Sequence, residues 1–363
     1  MREKYVVMLG TDFETMGGVS AVVNVYREHG LFDRWPVLYL PTHCDGGSLK
    51  KLGLAGKSLL RYMGLLLSGR VQMVHVHSAS DASFWRKSVF MYLSQLAGKP
   101  VIFHLHGAEF DKFFSERCND FSRKIVVHIL ENSACITVLS SQWQRWLSEV
   151  IINPNIVRVF NPVTQTTIRT ESQIRRKPLS LLFLGRLGQR KGIFDLLEAV
   201  ARLSPDFPQL ELLCGGDGDA DAVNRRAEEL GIQDRVRLLG WVRGQEKQAL
   251  LASAGVFVLP SYHEGLPMSI LEAMAAGLPV VSTRVGGIPD AITSGKEGFL
   301  IEPGDVDALE DSLRRLLGNP ELARSMGEAG LNKVAAEFDA DKVIPQIEAL
   351  YRKLGVQPLL ADA

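Results

Sequence analysis

Short apolar runs alternate along this chain with longer segments in which apolar residues recur every three or four positions. The runs are almost continuously apolar, which is typical of strands covered on both faces of a parallel sheet. Their alternation with helical segments predicts an α/β fold. We predict nine strands, at residues 5–9, 71–77, 100–106, 134–140, 179–185, 210–216, 235–240, 255–260 and 279–283.

Nine strands are many for one sheet, and 363 residues are too long for one ordinary core. The polar, charged segment 161–180 contains prolines near both ends and predicts a domain boundary. We therefore predict two Rossmann-like parallel-sheet domains, over 1–163 and 164–340, and a C-terminal helix in 341–363 that returns to the first domain. Ligands of open parallel sheets bind beyond the carboxyl ends of the strands, so two facing domains predict a cleft.

The net charge of zero combines +8 over residues 1–177 with −8 over residues 178–363. A basic N-terminal half favours an anionic partner, such as a phosphorylated acceptor or an acidic membrane surface, but attraction between the two domains explains it equally well. Four scattered cysteines predict free thiols in a cytoplasmic protein. We predict neither a signal peptide nor a membrane span, because no apolar run is long enough.

The segment 179–203 follows the order strand, glycine loop, helix. Arg186 and Lys191 place positive charge beside the start of the helix, where the helix dipole also favours an anion. This pattern predicts a diphosphate-binding loop, although a solvated cation pair beside a turn is the more common arrangement. The spacing does not match the P-loop pattern GxxxxGK[ST].

The helical segment 267–277 is apolar or small on every face except at Glu272, and Glu264 lies eight residues earlier in a loop. A buried carboxylate is costly unless it is bound. The amides of Gly265 and Leu266, near the helix N-terminus, favour a phosphate. A carboxylate accepts hydrogen bonds from two vicinal hydroxyls, so a sugar or ribose is a plausible ligand. A salt bridge to an arginine elsewhere is the alternative partner of Glu272.

Three stretches resemble the retaining nucleotide-sugar glycosyltransferases of family four. They are GRLGQRKG at 185–192, LPSYHEGLPMSILEAMAAGLPVVSTRVGGIPDAI at 259–292 and MGGVSAVV at 16–23. The resemblance covers nearly the whole chain and is densest from 180 to 300. It implies the GT-B architecture, in which the C-terminal Rossmann-like domain binds the nucleotide sugar and the N-terminal domain lies on the acceptor side.

The resemblance also implies roles for individual residues. In the C-terminal domain the implied donor-binding residues are Arg186, Lys191, Glu264, Gly265, Leu266 and Glu272. The cationic pair binds the diphosphate, Glu264 contacts the sugar, Glu272 binds the ribose hydroxyls, and the two amides contact the sugar phosphate. In the N-terminal domain, Gly17 and Gly18 approach the donor phosphates, and His106 lies beside the donor sugar.

The pairs His75/His77 and His104/His106 have i, i+2 spacing on predicted strands, so each pair points to one face and could chelate a metal ion. No adjacent third ligand is evident, so we predict that His75, His77 and His104 are structural and that no metal is bound. The segment 49–70 joins five cations to a leucine-rich stretch. It could lie on an anionic membrane surface, and an ordinary helix covering a sheet explains it equally well.

We predict a retaining glycosyltransferase that moves a hexose-type sugar from a nucleoside-diphosphate sugar to a hydroxyl of a glycan or polyprenyl-diphosphate-linked acceptor, in bacterial surface-glycan synthesis. Glu264 and His106 are the predicted catalytic residues, because they orient the sugar. We expect no cofactor, no metal and no nucleic acid, and a cytoplasmic location with peripheral contact at the inner face of the plasma membrane. The alternatives are a GT-B epimerase or phosphorylase and a non-catalytic nucleotide-binding subunit. A dehydrogenase is disfavoured because the chain lacks GxGxxG.

Overall fold

The computed structural model describes residues 3–164 and 176–359. The chain folds into two compact units, the first within Met1–Pro162 and Ala340–Ala363 and the second within Val163–Asp339. Each unit contains one six-stranded sheet whose paired strands are all parallel. The predicted α/β fold with two parallel sheets is confirmed, whereas the acceptor and donor roles of the two domains stay predictions.

The strands of the first unit are ordered β2-β1-β3-β4-β5-β6. They are β1 Tyr5–Gly10, β2 Val37–Pro41, β3 Val71–Ser78, β4 Val101–Leu105, β5 Cys135–Val138 and β6 Ile156–Arg158. The helices described in this unit are Gly18–Glu28, Leu31–Arg34, Ser48–Leu67, Ala82–Leu96, Phe110–Lys112 with a π-helical turn Phe113–Arg117, Asp120–Glu131, Ser141–Val150 and Ala340–Lys353.

The strands of the second unit are ordered β12-β11-β10-β7-β8-β9. They are β7 Ser180–Leu184, β8 Glu211–Gly215, β9 Val236–Gly240, β10 Val256–Leu259, β11 Val280–Thr283 and β12 Gly298–Ile301. The helices described in this unit are Ile193–Leu203, Ala220–Glu229, Gly244–Ser253, Met268–Ala275, Ile288–Ala291, Val306–Leu317 and Pro320–Lys333, with 3₁₀ turns Gln189–Lys191 and Gln233–Arg235 and a π-helical turn Val334–Phe338.

Central strands explain the continuous apolar runs of the sequence. In β1, the side chains of Val6 to Leu9 are fully buried, and Leu181 to Phe183 in β7 are fully buried as well. Burying one such aliphatic or aromatic side chain stabilises a fold by about 1.5–3 kcal/mol. All nine predicted strands are present, and the strands that the sequence pattern did not predict are β2, β6 and β12.

The C-terminal helix Ala340–Lys353 packs within the first unit. The hydroxyl of Tyr351 is hydrogen-bonded to Nδ1 of His75 at 2.8 Å, and Glu348 forms an ion pair with Arg34 at 2.8 Å. The four cysteines are buried and free. Among the described residues, no helix is both long enough and apolar enough to cross a lipid bilayer.

Candidate active site

Two loops of the second unit meet at the carboxyl edge of its sheet, one after β7 and one after β10. The amide of Tyr262 donates to the carbonyl of Arg190 at 2.9 Å, and Arg190 Nη1 donates to the carbonyl of His263 at 3.2 Å. Gly192 has a φ of +71°, and a Cβ there would lie 2.0 Å from the carbonyl oxygen of Pro260. Only glycine permits this conformation and this approach, so GRLGQRKG holds the two loops together.

An ion pair joins the two loops. Lys191 Nζ lies 2.5 Å from Oε1 of Glu264, and the side chains are only 15% and 6% exposed. The hydroxyl of Ser261, which is fully buried, donates to the same carboxylate oxygen at 2.7 Å. Two predicted site residues, Lys191 and Glu264, are therefore in direct contact. Because the pair is largely removed from water, removing one partner would leave the other charge costly.

Arg186 lies in the loop after β7 and is exposed. In residues 3–164 and 176–359 it makes no hydrogen bond or ion pair, so its guanidinium is available to a ligand. Gly265 and Leu266 are buried just before the helix Met268–Ala275. The carbonyl of Gly265 accepts a hydrogen bond from the amide of Gly287 at 2.5 Å, which fixes this turn against the loop after β11.

Glu272 has a partner that we did not predict. Lys247, on the helix Gly244–Ser253, donates from Nζ to Oε1 of Glu272 at 2.7 Å. The side chain of Glu272 is 16% exposed and that of Lys247 is 29% exposed. The ion pair compensates the charge of this carboxylate, so its burial alone does not call for a ribose or sugar ligand. The alternative prediction of an internal salt bridge is confirmed, except that the partner is a lysine and not an arginine. Ribose binding by Glu272 stays a prediction.

In the first unit, His106 follows the end of β4. Its amide donates to the carbonyl of Ser78 at 2.8 Å, and its Nε2 is hydrogen-bonded to Nδ1 of His77 at 2.8 Å. Burial, and to a smaller extent the neighbouring His75 and Lys87, lower the pKa of His106 to about 3. The imidazole is therefore neutral at physiological pH, and the predicted role of His106 beside the donor sugar stays a prediction.

Three of the histidines are closer together than the sequence suggested. His75, His77 and His104 are buried, and one ring nitrogen of each lies within 4.8 Å of the others, a spacing that could hold a metal ion. Hydrogen bonds already occupy several of these nitrogens: His75 contacts Tyr351 and His104, at 2.8 and 3.3 Å. Our premise that no third ligand is near was wrong, whereas the absence of a metal stays a prediction.

Gly17 and Gly18 begin the helix Gly18–Glu28 after β1. Gly17 has a φ of +150°, and a Cβ at either glycine would meet no atom within 4 Å. Gly17 is therefore required for backbone conformation, and both residues are exposed. Their predicted contact with donor phosphates stays a prediction.

Sequence reasoning missed two buried or half-buried lysines, one in each unit. Lys247 lies 25 residues before Glu272 and carries no motif, so nothing in the spacing links the two. Lys87 lies in the first unit on a helix that reads as an ordinary covering helix, and its side chain is only 1% exposed. A cation inside an apolar helical face was the available signal for Lys87.

Comparison with known proteins agrees with this geometry. Residues 164–333 match a family model described as glycosyl transferases group 1. The chain is 28% identical over 293 residues to N-acetyl-alpha-D-glucosaminyl L-malate synthase of Bacillus anthracis, with 77% of this chain and 74% of the relative covered. It is 28% identical over 367 residues to UDP-Gal:alpha-D-GlcNAc-diphosphoundecaprenol alpha-1,3-galactosyltransferase of Escherichia coli, with 94% and 91% covered.

Among solved structures, the HepE protein of Anabaena in complex with UDP matches with a TM-score of 0.73 and 17% identity, covering 96% of this chain and 100% of that chain. This likeness supports the fold. Residues 164–333 therefore match the glycosyl transferases group 1 model, and the protein is a glycosyltransferase of GT-B fold.

Proposed function

We propose that this protein transfers a hexose-type sugar, with retention at the anomeric carbon, from a nucleoside-diphosphate sugar to a glycan or polyprenyl-diphosphate-linked acceptor in bacterial surface-glycan synthesis. The observation that carries the proposal is the buried contact of Glu264 with Lys191 and Ser261 at the carboxyl edge of the second sheet. A cation and a carboxylate within one small volume suit an activated sugar, which presents both a phosphate and hydroxyl groups.

Cations stabilise the leaving group in this mechanism. The bond between the anomeric carbon and the phosphate oxygen breaks, and negative charge develops on the diphosphate. Arg186, Lys191 and the amides of Gly265 and Leu266 stabilise that charge. Because these groups neutralise the charge of the diphosphate, the proposed reaction needs no metal ion or cofactor.

Retention follows if the acceptor attacks from the face that the diphosphate leaves. The acceptor oxygen then bonds to the anomeric carbon, and its proton passes to the departing phosphate oxygen, so no protein nucleophile is required. Glu264 accepts hydrogen bonds from the sugar hydroxyls and favours the positive charge that develops on the ring. The neutral His106 orients the sugar by hydrogen bonding.

The named relatives support this choice of substrates. The Escherichia coli relative is named for a UDP-sugar donor and a diphosphoundecaprenol-linked acceptor, and the Anabaena structure contains UDP. A UDP-sugar is therefore the first donor to test, and a diphosphate-linked lipid the first acceptor.

An anionic membrane surface at the cytoplasmic face is the second proposed partner, through the helix Ser48–Leu67. Four leucines recur on one side of this helix and are 72–87% exposed: Leu49, Leu52, Leu60 and Leu67. Lys50, Lys57 and Arg61 are exposed on the same helix. Exposed apolar residues beside cations are typical of a helix that lies in a lipid headgroup region.

Thermal-shift measurements with UDP-, GDP- and ADP-sugars, followed by transfer assays with the best donor, test the enzymatic proposal. We expect one nucleotide class to raise the melting temperature and NMR of the product to show the anomeric configuration of the donor. Inversion of that configuration would overturn the mechanism. Release of free nucleotide or sugar phosphate that is independent of acceptor would instead indicate a phosphorylase or epimerase.

Vesicle sedimentation tests the membrane contact. We expect binding to vesicles that contain phosphatidylglycerol, weak binding to pure phosphatidylcholine, and loss of binding in the double variant Leu52→Ser/Leu60→Ser. Leu96→Ser is the matched control, because Leu96 is 68% exposed on the helix Ala82–Leu96. Equal binding of the double variant and the control would contradict the contact.

A further inference from the structure

Lys87 is a cation that the first unit removes almost completely from water. Its side chain is 1% exposed on the helix Ala82–Leu96, and its Nζ donates to the hydroxyl of Ser83 at 2.7 Å. In residues 3–164 and 176–359, no carboxylate forms an ion pair with it. Burial, and next the positive charge of Arg86, lower the pKa of Lys87 to about 7. A buried ammonium without a counter-charge is costly.

The groups around Lys87 are also basic. Arg86 is partly buried, and its Nε is buried without a hydrogen-bond partner among the described residues. Nδ1 of His43 is likewise buried and has no hydrogen-bond partner among the described residues. Burial and the positive charges of Arg86, Lys51 and Lys87 lower the pKa of His43, and Asp45 alone raises it. Positive charge therefore dominates this part of the unit.

A metal ion bound by His75, His77 and His104 would not balance the positive charge of Lys87. His77 and His106 are near enough to Lys87 for its charge to lower the pKa of both. A divalent cation at His75, His77 and His104 would add positive charge beside a buried lysine, which Coulomb repulsion disfavours. An anion removes the same repulsion, and its oxygens would accept a hydrogen bond from Nε of Arg86 and, in the tautomer protonated at Nδ1, from His43.

We propose that Lys87, together with Arg86 and His43, binds a phosphate or diphosphate group of the acceptor. This inference rests on the proposed function and narrows it, since the acceptor becomes a phosphate-linked glycan and not a neutral one. The donor diphosphate offers the same chemistry, but we propose Arg186 and Lys191 of the second unit as its ligands. The experiment distinguishes binding of an acceptor phosphate at Lys87 from binding of the donor diphosphate.

Lys87→Met tests the proposal, because it keeps the length of the side chain and removes its charge. Removing an uncompensated buried charge should leave the melting temperature at pH 7 unchanged or higher. Lys124→Met, at an exposed position of the helix Asp120–Glu131, is the matched control. Both variants are made in the full-length protein.

In the binding arm, the donor site is first saturated with the nucleoside diphosphate that the thermal-shift screen selects, and inorganic pyrophosphate is then titrated into this complex. We expect pyrophosphate binding to the parent protein and to Lys124→Met, and about 10-fold or more weaker binding to Lys87→Met. Equal binding to all three proteins, or no binding to any of them, would overturn the site.

In the kinetic arm, the acceptors are a short-chain lipid diphosphate carrying N-acetylglucosamine and the alkyl glycoside of the same sugar. We expect Lys87→Met to raise the KM of the diphosphate acceptor about 10-fold or more, with the donor KM and the glycoside KM unchanged. A rise confined to the donor KM would assign the site to the donor and refute the acceptor role. Absence of transfer by the parent protein, with Lys87-dependent pyrophosphate binding, would instead refute the proposed function and leave the anion site standing.

Discussion

Lys191 in the second unit and Lys87 in the first are both lysines with little exposed side chain, and the partner of the ammonium group differs between them. Lys191 has a carboxylate at 2.5 Å, whereas the polar contact of Lys87 is a hydroxyl at 2.7 Å. The charge of Lys191 is therefore balanced before any substrate arrives. The charge of Lys87 is not balanced by any described carboxylate. A balanced cation can exchange partners when a ligand binds, and an unbalanced one favours the arrival of an anion.

Replacing the cations of the second unit should have the largest effect. In Arg186→Gln/Lys191→Gln, the charge that develops on the leaving diphosphate loses both cationic contacts, while the amide introduced in place of the lysine can still donate to Glu264. We expect kcat/KM to fall about 10³-fold or more, measured by release of nucleotide in the presence of acceptor. Arg226→Gln, on the helix Ala220–Glu229, is the control. Near-normal turnover of the double variant would remove the diphosphate role.

Glu264→Gln probes the other half of the ion pair. This change keeps the shape and hydrogen bonding of the side chain but leaves Lys191 without its counter-charge and the sugar without a carboxylate. We expect kcat to fall about 10²-fold. Ser261→Ala, which removes the second hydrogen bond to Glu264, should cost less. If both variants lose the same small factor, Glu264 acts only as a structural partner of Lys191.

The variant Glu272→Ala tests whether the Glu272 carboxylate, which pairs with Lys247, also binds the nucleotide. If the carboxylate holds the ribose, calorimetry should show nucleotide affinity reduced about 10-fold. Lys247→Met separates the two roles, because it frees Glu272 from its internal partner without removing the carboxylate. We expect this variant to retain nucleotide affinity. If Glu272→Ala binds the nucleotide as tightly as the parent protein, Glu272 does not bind the ribose and serves only as the ion-pair partner of Lys247.

Acid should destabilise the first unit more than the ion-paired second unit. Burial lowers the pKa of His75 to about 3 and holds the pKa of His104 well below its usual value. The unfolded chain therefore binds more protons than the folded one below about pH 6.5, and stability falls as the pH drops. For His75 the loss is up to about 1.4 kcal/mol per pH unit down to about pH 3. Urea unfolding followed by tryptophan fluorescence reports mainly this unit, which contains Trp35, Trp85, Trp143 and Trp146. His104→Gln should flatten the slope, and an unchanged slope would contradict the assignment.

Lys87 should also affect stability, with a pH dependence of its own. Its pKa is lowered to about 7 from a usual value of 10.5, so the unfolded chain binds more protons between those values and stability decreases as pH falls from 10.5 to 7. Lys87→Met removes this loss. Its melting temperature should exceed that of the parent protein at pH 7 by more than at pH 10, and a difference independent of pH would argue against an uncompensated charge.

The fold was predictable where strands are central and less so at the sheet edges. The strands that the sequence pattern did not predict, β2, β6 and β12, are all edge strands. An edge strand has one neighbour and buries fewer side chains, so its apolar pattern is weak: β6 has three residues, and four of the five residues of β2 are only partly buried. Periodicity alone does not separate such segments from turns.

The candidate site was predictable in its loops and not in its charge balance. Glycines and strand ends placed Lys191 near Glu264, because parallel strands end at one edge. The partners Lys247 and Ser83 lie on helices, and which helical side chain reaches a buried charge depends on packing that no local pattern encodes. The histidines were predicted as isolated pairs, but neighbouring strands β3 and β4 place His77 opposite His104 and so join the two pairs.

A crystal structure of the full-length protein with UDP, or with whichever nucleotide the thermal-shift screen selects, tests the central claim most directly. The account predicts diphosphate oxygens within hydrogen-bonding distance of Lys191 Nζ and the Arg186 guanidinium, and ribose hydroxyls on the Glu272 carboxylate. A nucleotide bound away from the loops after β7 and β10 would contradict it.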